Sequence, residues 1–338
     1  MPEVYNLALI GFGNVGRSLV GLLDRKRQEL HAKHGIEFRI TGVASRRLGW
    51  KIDSRGFAAE RLLSSDPDGE SCHDVYEWLS AARADVLFEA SSLNYETGRP
   101  AIDHIRAALE HHAHAISANK GPVVHAYREL TDLANRHDRR FLFESSVMDG
   151  IPIFSLFREA LPAIELRGFT GILNSTTNVI LGEMEHGRTL DEAIAKAQQL
   201  GVAETDPSAD IDGWDAAVKV SALVTVLMGV DRKPQQVSRI GIREITVEMV
   251  KRAATRGERY KLLCSARREE GSVTASVSPA LVPLSNPLAH VSGTSSIIRF
   301  ETDIFPALTI TEENPGVEAT AYGMLTDFIA AAKSEASK

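Results

Sequence analysis

The chain has 338 residues and a mass of 36.9 kDa, more than one ordinary hydrophobic core accommodates, so about two domains are expected. Its 43% hydrophobic and 25% charged residues exclude a disordered chain. A net charge of −7 excludes general nucleic-acid binding, which needs a basic surface to displace counterions.

The longest apolar run, residues 218–230, is broken by Lys219, Ser221 and Thr225 and falls short of the ~20 residues that span a bilayer, so no membrane partner is expected. The N-terminus enters a strand-like run directly, with no leader pattern. Cys72 and Cys264 fit neither a metal spacing nor a useful staple, which points to a reducing, cytoplasmic setting.

Residues 4–10 form an apolar run that stops at glycine, and 15–33 carry Val15, Leu19, Leu22, Leu23 and Leu30 near helical spacing, with Gly35 placed to end the helix. Strands are expected at 38–44, 85–90, 113–118 and 141–144, and helices at 100–110 and 127–137. This alternation implies right-handed crossovers and a parallel sheet. Beyond Pro152 the rhythm changes. Residues 164–174 read as extended, 190–200 and 214–228 as helices, and 272–283, 295–301 and 307–310 as antiparallel strands, before an amphipathic helix at 319–333. The class is α/β: a Rossmann-type parallel sheet formed by 1–146 with about 311–338, plus an α+β substrate and dimerisation domain over 147–310.

Gly11-Phe12-Gly13-Asn14-Val15-Gly16 is a full G-x-G-x-x-G between a strand and a helix. The first glycine allows the tight turn, the second lets backbone approach a pyrophosphate, and the third lets the helix pack close to the strand. The helix N-terminus then faces the phosphates. At the end of the second strand an acid would bind the ribose of NAD, whereas arginine accommodates a 2′-phosphate. The chain reads Ser45-Arg46-Arg47, with no carboxylate until Asp53, so NADP(H) is the expected dinucleotide and NAD(H) the alternative.

Two further strand ends, at Ser91-Ser92 and at Ser117-Ala118-Asn119-Lys120-Gly121-Pro122, lie where open α/β sheets place ligands, with Lys120 expected in a turn. A second lysine closes an acidic stretch. Glu204, Asp206, Asp210, Asp212 and Asp215 precede Lys219, and Asp215 and Lys219 share a helical face if the segment from Trp214 is helical. Asp210 or Asp212 also suits a helix cap.

Together with Gly171-Ile172-Leu173-Asn174-Ser175-Thr176-Thr177-Asn178, these motifs, in this order, resemble homoserine dehydrogenase over essentially the whole chain. The resemblance implies interconversion of L-aspartate 4-semialdehyde and L-homoserine, an amino-acid substrate, and a homodimer formed through the second domain. It also implies a short form with no regulatory domain after the catalytic unit. Lys219 would be the acid/base, Lys120 a second cation near substrate and nicotinamide, and Glu204, Asp210, Asp215 and Thr176 the substrate ligands. Gly316 belongs to a segment that would cover the cofactor. Glu144, Val147, Asp149 and Ile151 match positions that hold a monovalent cation (Na+ or K+).

The residues support that chemistry independently. An ammonium can stabilise the charge growing on an aldehyde oxygen and deliver the proton. In oxidation the lysine must be neutral, so homoserine oxidation is expected to quicken at alkaline pH. Ser175 replaces a glycine usual in the family and is expected to narrow the pocket or restrict the backbone. Met148 and Asp149 replace smaller residues. These departures keep open a related amino-acid aldehyde or alcohol as substrate, and a non-catalytic cofactor sensor is the alternative outside enzymology. Semialdehyde dehydrogenase chemistry needs an activated cysteine that neither Cys72 nor Cys264 offers. His111, His112 and His114 read as solvated turn residues rather than metal ligands.

Overall fold

The computed structural model describes residues 3–336, which fall into two compact units. One comprises the chain to Ser155 together with the segment from Gly316; the other is Leu156–Pro315. Residues 147–155, read from sequence as the start of the second domain, group here with the first unit. The carboxylate of Glu144 accepts the backbone N–H groups of Ile153, Phe154 and Ser155 at 2.6–2.7 Å, and Phe154 packs against Phe143.

The first unit is built on β1 (Glu3–Ile10), α1 (Asn14–His34), β2 (Ile36–Ser45), β3 (Gly49–Ile52), α2 (Ala59–Ser64), β4 (Glu70–Cys72) and α3 (Val75–Ala82). It continues with β5 (Val86–Glu89), α4 (Ala101–Glu110), β6 (His114–Ser117), α5 (Lys120–Arg136) and β7 (Phe141–Leu142). The sheet order is β4-β3-β2-β1-β5-β6-β7. From β2 to β7 the neighbours are parallel, as the alternation requires, but β3 and β4 add an antiparallel edge. The three residues between β2 and β3 are far too few for a crossover, so the pair must be a hairpin. Gly35 closes α1 in the left-handed region, its N–H on the carbonyls of Leu30 and His31. One face of the sheet is covered by α1 and by the C-terminal helix (Val317–Ala336), whose Met324, Leu325 and Phe328 join Leu7, Leu19 and Phe88 in one core.

The second unit holds β8 (Leu166–Ile172), α6 (Ser175–Glu185), α7 (Leu190–Gln199), α8 (Ser208–Ile211), α9 (Trp214–Leu227), β9 (Ser238–Arg239) and α10 (Val247–Thr255). Strands β10 (Glu258–Glu269), β11 (Ser272–Pro283), β12 (Ser296–Thr302) and β13 (Leu308–Glu312) follow, and the terminal helix above is α11. The sheet order β13-β12-β8-β10-β11-β9 is antiparallel except for the short β11–β9 pair. Helices α6, α9 and α10 pack against its long central strands. Among the described residues no helix is long and apolar enough to cross a membrane.

Candidate active site

The glycine loop sits at the switch point where β1 is flanked by β2 and β5. Gly11 has φ of 90° and its N–H donates to the Ala44 carbonyl at 2.9 Å, while a Cβ there would lie 2.3 Å from the Ala90 backbone. Only glycine fits between the two strand ends. A Cβ on Gly16 would meet the Gly11 carbonyl at 2.6 Å, which is the close helix-to-loop approach expected of the third glycine. Gly13 differs: a Cβ there meets nothing within 4 Å. It is the N-cap of α1 and has no side chain to cap Val15 or Gly16, so the first-turn N–H groups remain for an anion.

At the end of β2 the Ser45 hydroxyl accepts the Leu48 N–H at 3.2 Å. Arg46 is exposed and donates to the Ser92 hydroxyl at 3.3 Å. Arg47 is held by both oxygens of Asp66, at 2.5 and 2.6 Å. Beyond β5, Ser91 gives its N–H and its hydroxyl to Glu89, a fully buried carboxylate that also faces the Ser117 hydroxyl at 3.4 Å and His104 Nδ1 at 3.7 Å. Asn119 ties the loops together, with Nδ2 on the Ser91 carbonyl at 3.0 Å and Oδ1 accepting the Gly121 N–H at 2.9 Å. Lys120 therefore does not sit in an isolated turn. It is the first residue of α5, with Asn119 as N-cap. The sequence pattern begins at Tyr127 because Ala126 (φ −140°) breaks the helix, so the first six residues carry no period continuous with the rest. Glu89 and Asn119 are the residues missed here. A buried acid at a strand end was legible in the sequence, but its two serine partners were not.

Gly316 precedes α11 and has open space where a Cβ would stand. In the 144–151 segment Asp149 is left-handed (φ 44°), with its carboxylate accepting from Thr320 at 2.7 Å. Both Glu144 oxygens take backbone N–H groups, and the Ile151 carbonyl accepts from Ile153 at 2.8 Å. The Glu144 carboxylate is thus committed to the backbone of residues 153–155.

In the second unit β8 ends at Ile172, and Asn174 caps α6 by accepting the Thr177 N–H at 2.9 Å. Its amide nitrogen bridges two carboxylates, Asp210 Oδ1 at 2.6 Å and Asp215 Oδ2 at 3.0 Å. Asp215 lies in the first turn of α9, and one turn on Lys219 Nζ reaches Asp215 Oδ2 at 3.2 Å and the Leu173 carbonyl at 2.5 Å. The lysine and aspartate side chains are only 15% and 12% exposed, so this is not a solvated surface pair. Burial and the neighbouring Asp215 push the Asp210 carboxyl above its usual range, against hydrogen bonds from Asn174 and Thr176 and the charge of Lys219. Thr176 also donates to the Val202 carbonyl at 3.3 Å.

The other acids of the stretch make different contacts. Glu204 is exposed, with its backbone carbonyl accepting from Gln198. Asp206 accepts the Ser208 N–H, and Asp212 pairs with Arg243 at 2.5 Å. Asn174 is the residue that sequence reading left unassigned; its place directly before the Ser-Thr-Thr run was the available signal. Ser175 costs the backbone nothing, since it is helical and donates to the Thr294 carbonyl at 3.2 Å. Lys261 is more deeply buried than Lys219 and is bound to Asn178 Oδ1 at 2.9 Å and to the Val291 carbonyl at 2.5 Å; burial pulls its ammonium down to about 8. Cys264 lies beside Leu173 and Lys219, but burial pushes its thiol up to about 12, which rules out a ready thiolate.

A family model described as homoserine dehydrogenase matches residues 152–329, and one described as the NAD binding domain of homoserine dehydrogenase matches 11–144. An NAD(+)-dependent homoserine dehydrogenase from Pseudomonas canavaninivorans is 34% identical over 96% of this chain and 95% of its own. A homoserine dehydrogenase from Methanocaldococcus jannaschii is 33% identical, with 96% and 97% covered. Among solved structures, a putative homoserine dehydrogenase from Archaeoglobus fulgidus superposes with a TM-score of 0.85 at 33% identity, covering 96% of this chain and 98% of that one. A hyperthermophilic archaeal homoserine dehydrogenase mutant in complex with NADPH gives 0.82 at 29% identity, covering 97% and 98%. The chain belongs to the homoserine dehydrogenase family of NAD(P)-dependent oxidoreductases.

Proposed function

We propose that the chain interconverts L-aspartate 4-semialdehyde and L-homoserine, in the biosynthesis of threonine and methionine, with NADP(H) preferred over NAD(H). The observation that carries the residue assignment is the cluster of Lys219, Asp215, Asn174 and Asp210 at the carboxyl end of β8. Two carboxylates share one amide and one ammonium, which leaves anionic charge for the α-ammonium of an amino acid. Asp210 and Asp215 bind that ammonium, Thr176 borders it, and Glu204 approaches from the exposed loop. The dinucleotide supplies the hydride to the aldehyde carbon. As the C–H bond forms and the carbonyl pair moves to oxygen, Lys219 stabilises that oxygen and transfers a proton from Nζ to it. Lys120, held at the start of α5 by the Asn119 cap, supplies a positive charge at the end of β6 on the cofactor's side of the reaction. In the oxidative direction neutral Lys219 takes the hydroxyl proton, so the rate rises with pH.

The first glycine segment, with Gly11, Gly13, Asn14, Val15 and Gly16, holds the pyrophosphate, and Ser91, Ser92 and Gly316 line the remaining cofactor path. Ser45, Arg46 and Arg47 receive the 2′-phosphate. One structural relative is named as a complex with NADPH, which fits binding of that dinucleotide, while the name of the Pseudomonas relative speaks for NAD. A monovalent cation at Glu144, Val147, Asp149 and Ile151, a homodimer formed through the second domain and the cytoplasm as setting complete the reading. Initial rates of NADPH and NADH oxidation with L-aspartate 4-semialdehyde test it. Turnover with a higher kcat/KM for NADPH is expected; a clear NADH preference removes the cofactor assignment, and no turnover with either removes the substrate.

A further inference from the structure

Arg47 and Asp66 form the most complete ion pair at the mouth of the nucleotide fold, yet both are exposed, at 67% and 52%. Exposed pairs add little to stability, so this one has little use as a brace. Its position is what matters. Arg47 lies two residues beyond β2, where a dinucleotide presents its adenosine ribose. Asp66 comes from the turn after α2, nineteen residues on. That turn is itself anchored: Arg17, stacked on Phe12 of the glycine loop at 4.6 Å, donates to the Leu62 carbonyl at 2.7 Å and lies 3.9 Å from Asp66. The chain thus offers the ribose both chemistries at one place, arginine for a phosphate and a carboxylate for a hydroxyl, and joins them to each other.

We propose that Asp66 is a specificity-determining residue that restrains NADP(H) binding: its carboxylate occupies the Arg47 guanidinium that a 2′-phosphate must otherwise engage, and it offers an acceptor to the 2′-hydroxyl of NAD(H). A bidentate carboxylate and a phosphate compete for the same fork of N–H donors. NADP(H) must open the pair before Arg47 can bind it, whereas NAD(H) leaves it closed. Arg46, whose contact to Ser92 is longer at 3.3 Å, is the arginine available to a phosphate without that exchange. The inference rests on the assignment of residues 45–47 to the ribose, and it makes the cofactor preference a balance rather than a fixed choice.

Calorimetric dissociation constants for NADP+ and NAD+ test it on the intact protein, Asp66→Asn, Arg47→Met and the double variant. Asp66→Asn is expected to tighten NADP+ roughly threefold to tenfold and to leave NAD+ equal or weaker, and the gain should vanish in the Arg47→Met background. Unchanged or weaker NADP+ binding in Asp66→Asn would overturn the proposal, because the carboxylate would then be orienting Arg47 for the phosphate. A gain that persists without Arg47 would overturn it too, as simple removal of negative charge. The unaltered protein tests the NADP(H) preference separately: it can prefer NAD+ while Asp66→Asn still gains NADP+, or prefer NADP+ while Asp66→Asn does not gain.

Discussion

Replacing Asn174 by aspartate keeps the shape and the α6 cap, since Oδ1 still accepts the Thr177 N–H, but turns the nitrogen that bridges Asp210 and Asp215 into an oxygen. Two hydrogen bonds to carboxylates disappear, and three acids then face one ammonium from Lys219. Such a group cannot stay fully ionised, so it takes up a proton and recovers one of the two bonds. The net loss is one hydrogen bond to a charged group, about 1.5–3 kcal/mol, or roughly 10- to 150-fold in kcat/KM. The loss should deepen as pH rises and the borrowed proton leaves. Steady-state rates with L-aspartate 4-semialdehyde from pH 6 to 9, alongside melting curves, measure both parts. A variant whose kcat/KM stays within about threefold across that range, whatever its Tm, would refute the role of Asn174 as a bridge in the substrate site.

The first two glycines of the loop should separate folding from binding. Gly13→Ala should melt like the unaltered protein but raise the KM for the dinucleotide about tenfold or more, whereas Gly11→Ala, with a Cβ 2.3 Å from backbone and φ of 90°, should lose several kcal/mol of stability. Because the Asp210 carboxyl titrates above its usual range, the KM for homoserine should climb on acidification sooner than an ordinary aspartate dictates, and Asp210→Asn should remove that limb while weakening binding throughout. Lys261 titrates at about 8 in the fold against 10.5 in the unfolded chain, so the native state holds fewer protons between those values. Stability should therefore rise with pH across that window, by up to ~1.4 kcal/mol per unit, and denaturant titrations of Lys261→Met should show a flatter profile.

Where local chemistry and tertiary position coincide, the sequence was readable. The run before Gly11, the helix ended by Gly35 and the i,i+4 pair of Asp215 and Lys219 are all set within a few residues, and their geometry follows from spacing alone. Elements that depend on partners distant in the chain were not readable. Strand β10 begins and ends in charged residues and becomes a strand because β8 and β11 pair with it on both sides. Helix α6 is buried nearly all round, so it has no polar face to mark a period. The cluster around Lys219 was half legible for the same reason. Lys219 and Asp215 announce each other, whereas Asn174 joins them only after β8 has been placed beside α9. Asp66 reaches Arg47 across a hairpin, a helix and a turn, a contact that no spacing rule contains.

On the proposed mechanism Lys219 moves the proton in hydride transfer. That role is tested most directly by single-turnover reduction of L-aspartate 4-semialdehyde by Lys219→Ala, with dinucleotide binding measured on the same sample. A fall of about 10²–10⁴-fold in the hydride-transfer rate, with dinucleotide affinity preserved, is the predicted result. A rate within a few-fold of the unaltered enzyme would contradict the assignment and move the acid/base role to another group.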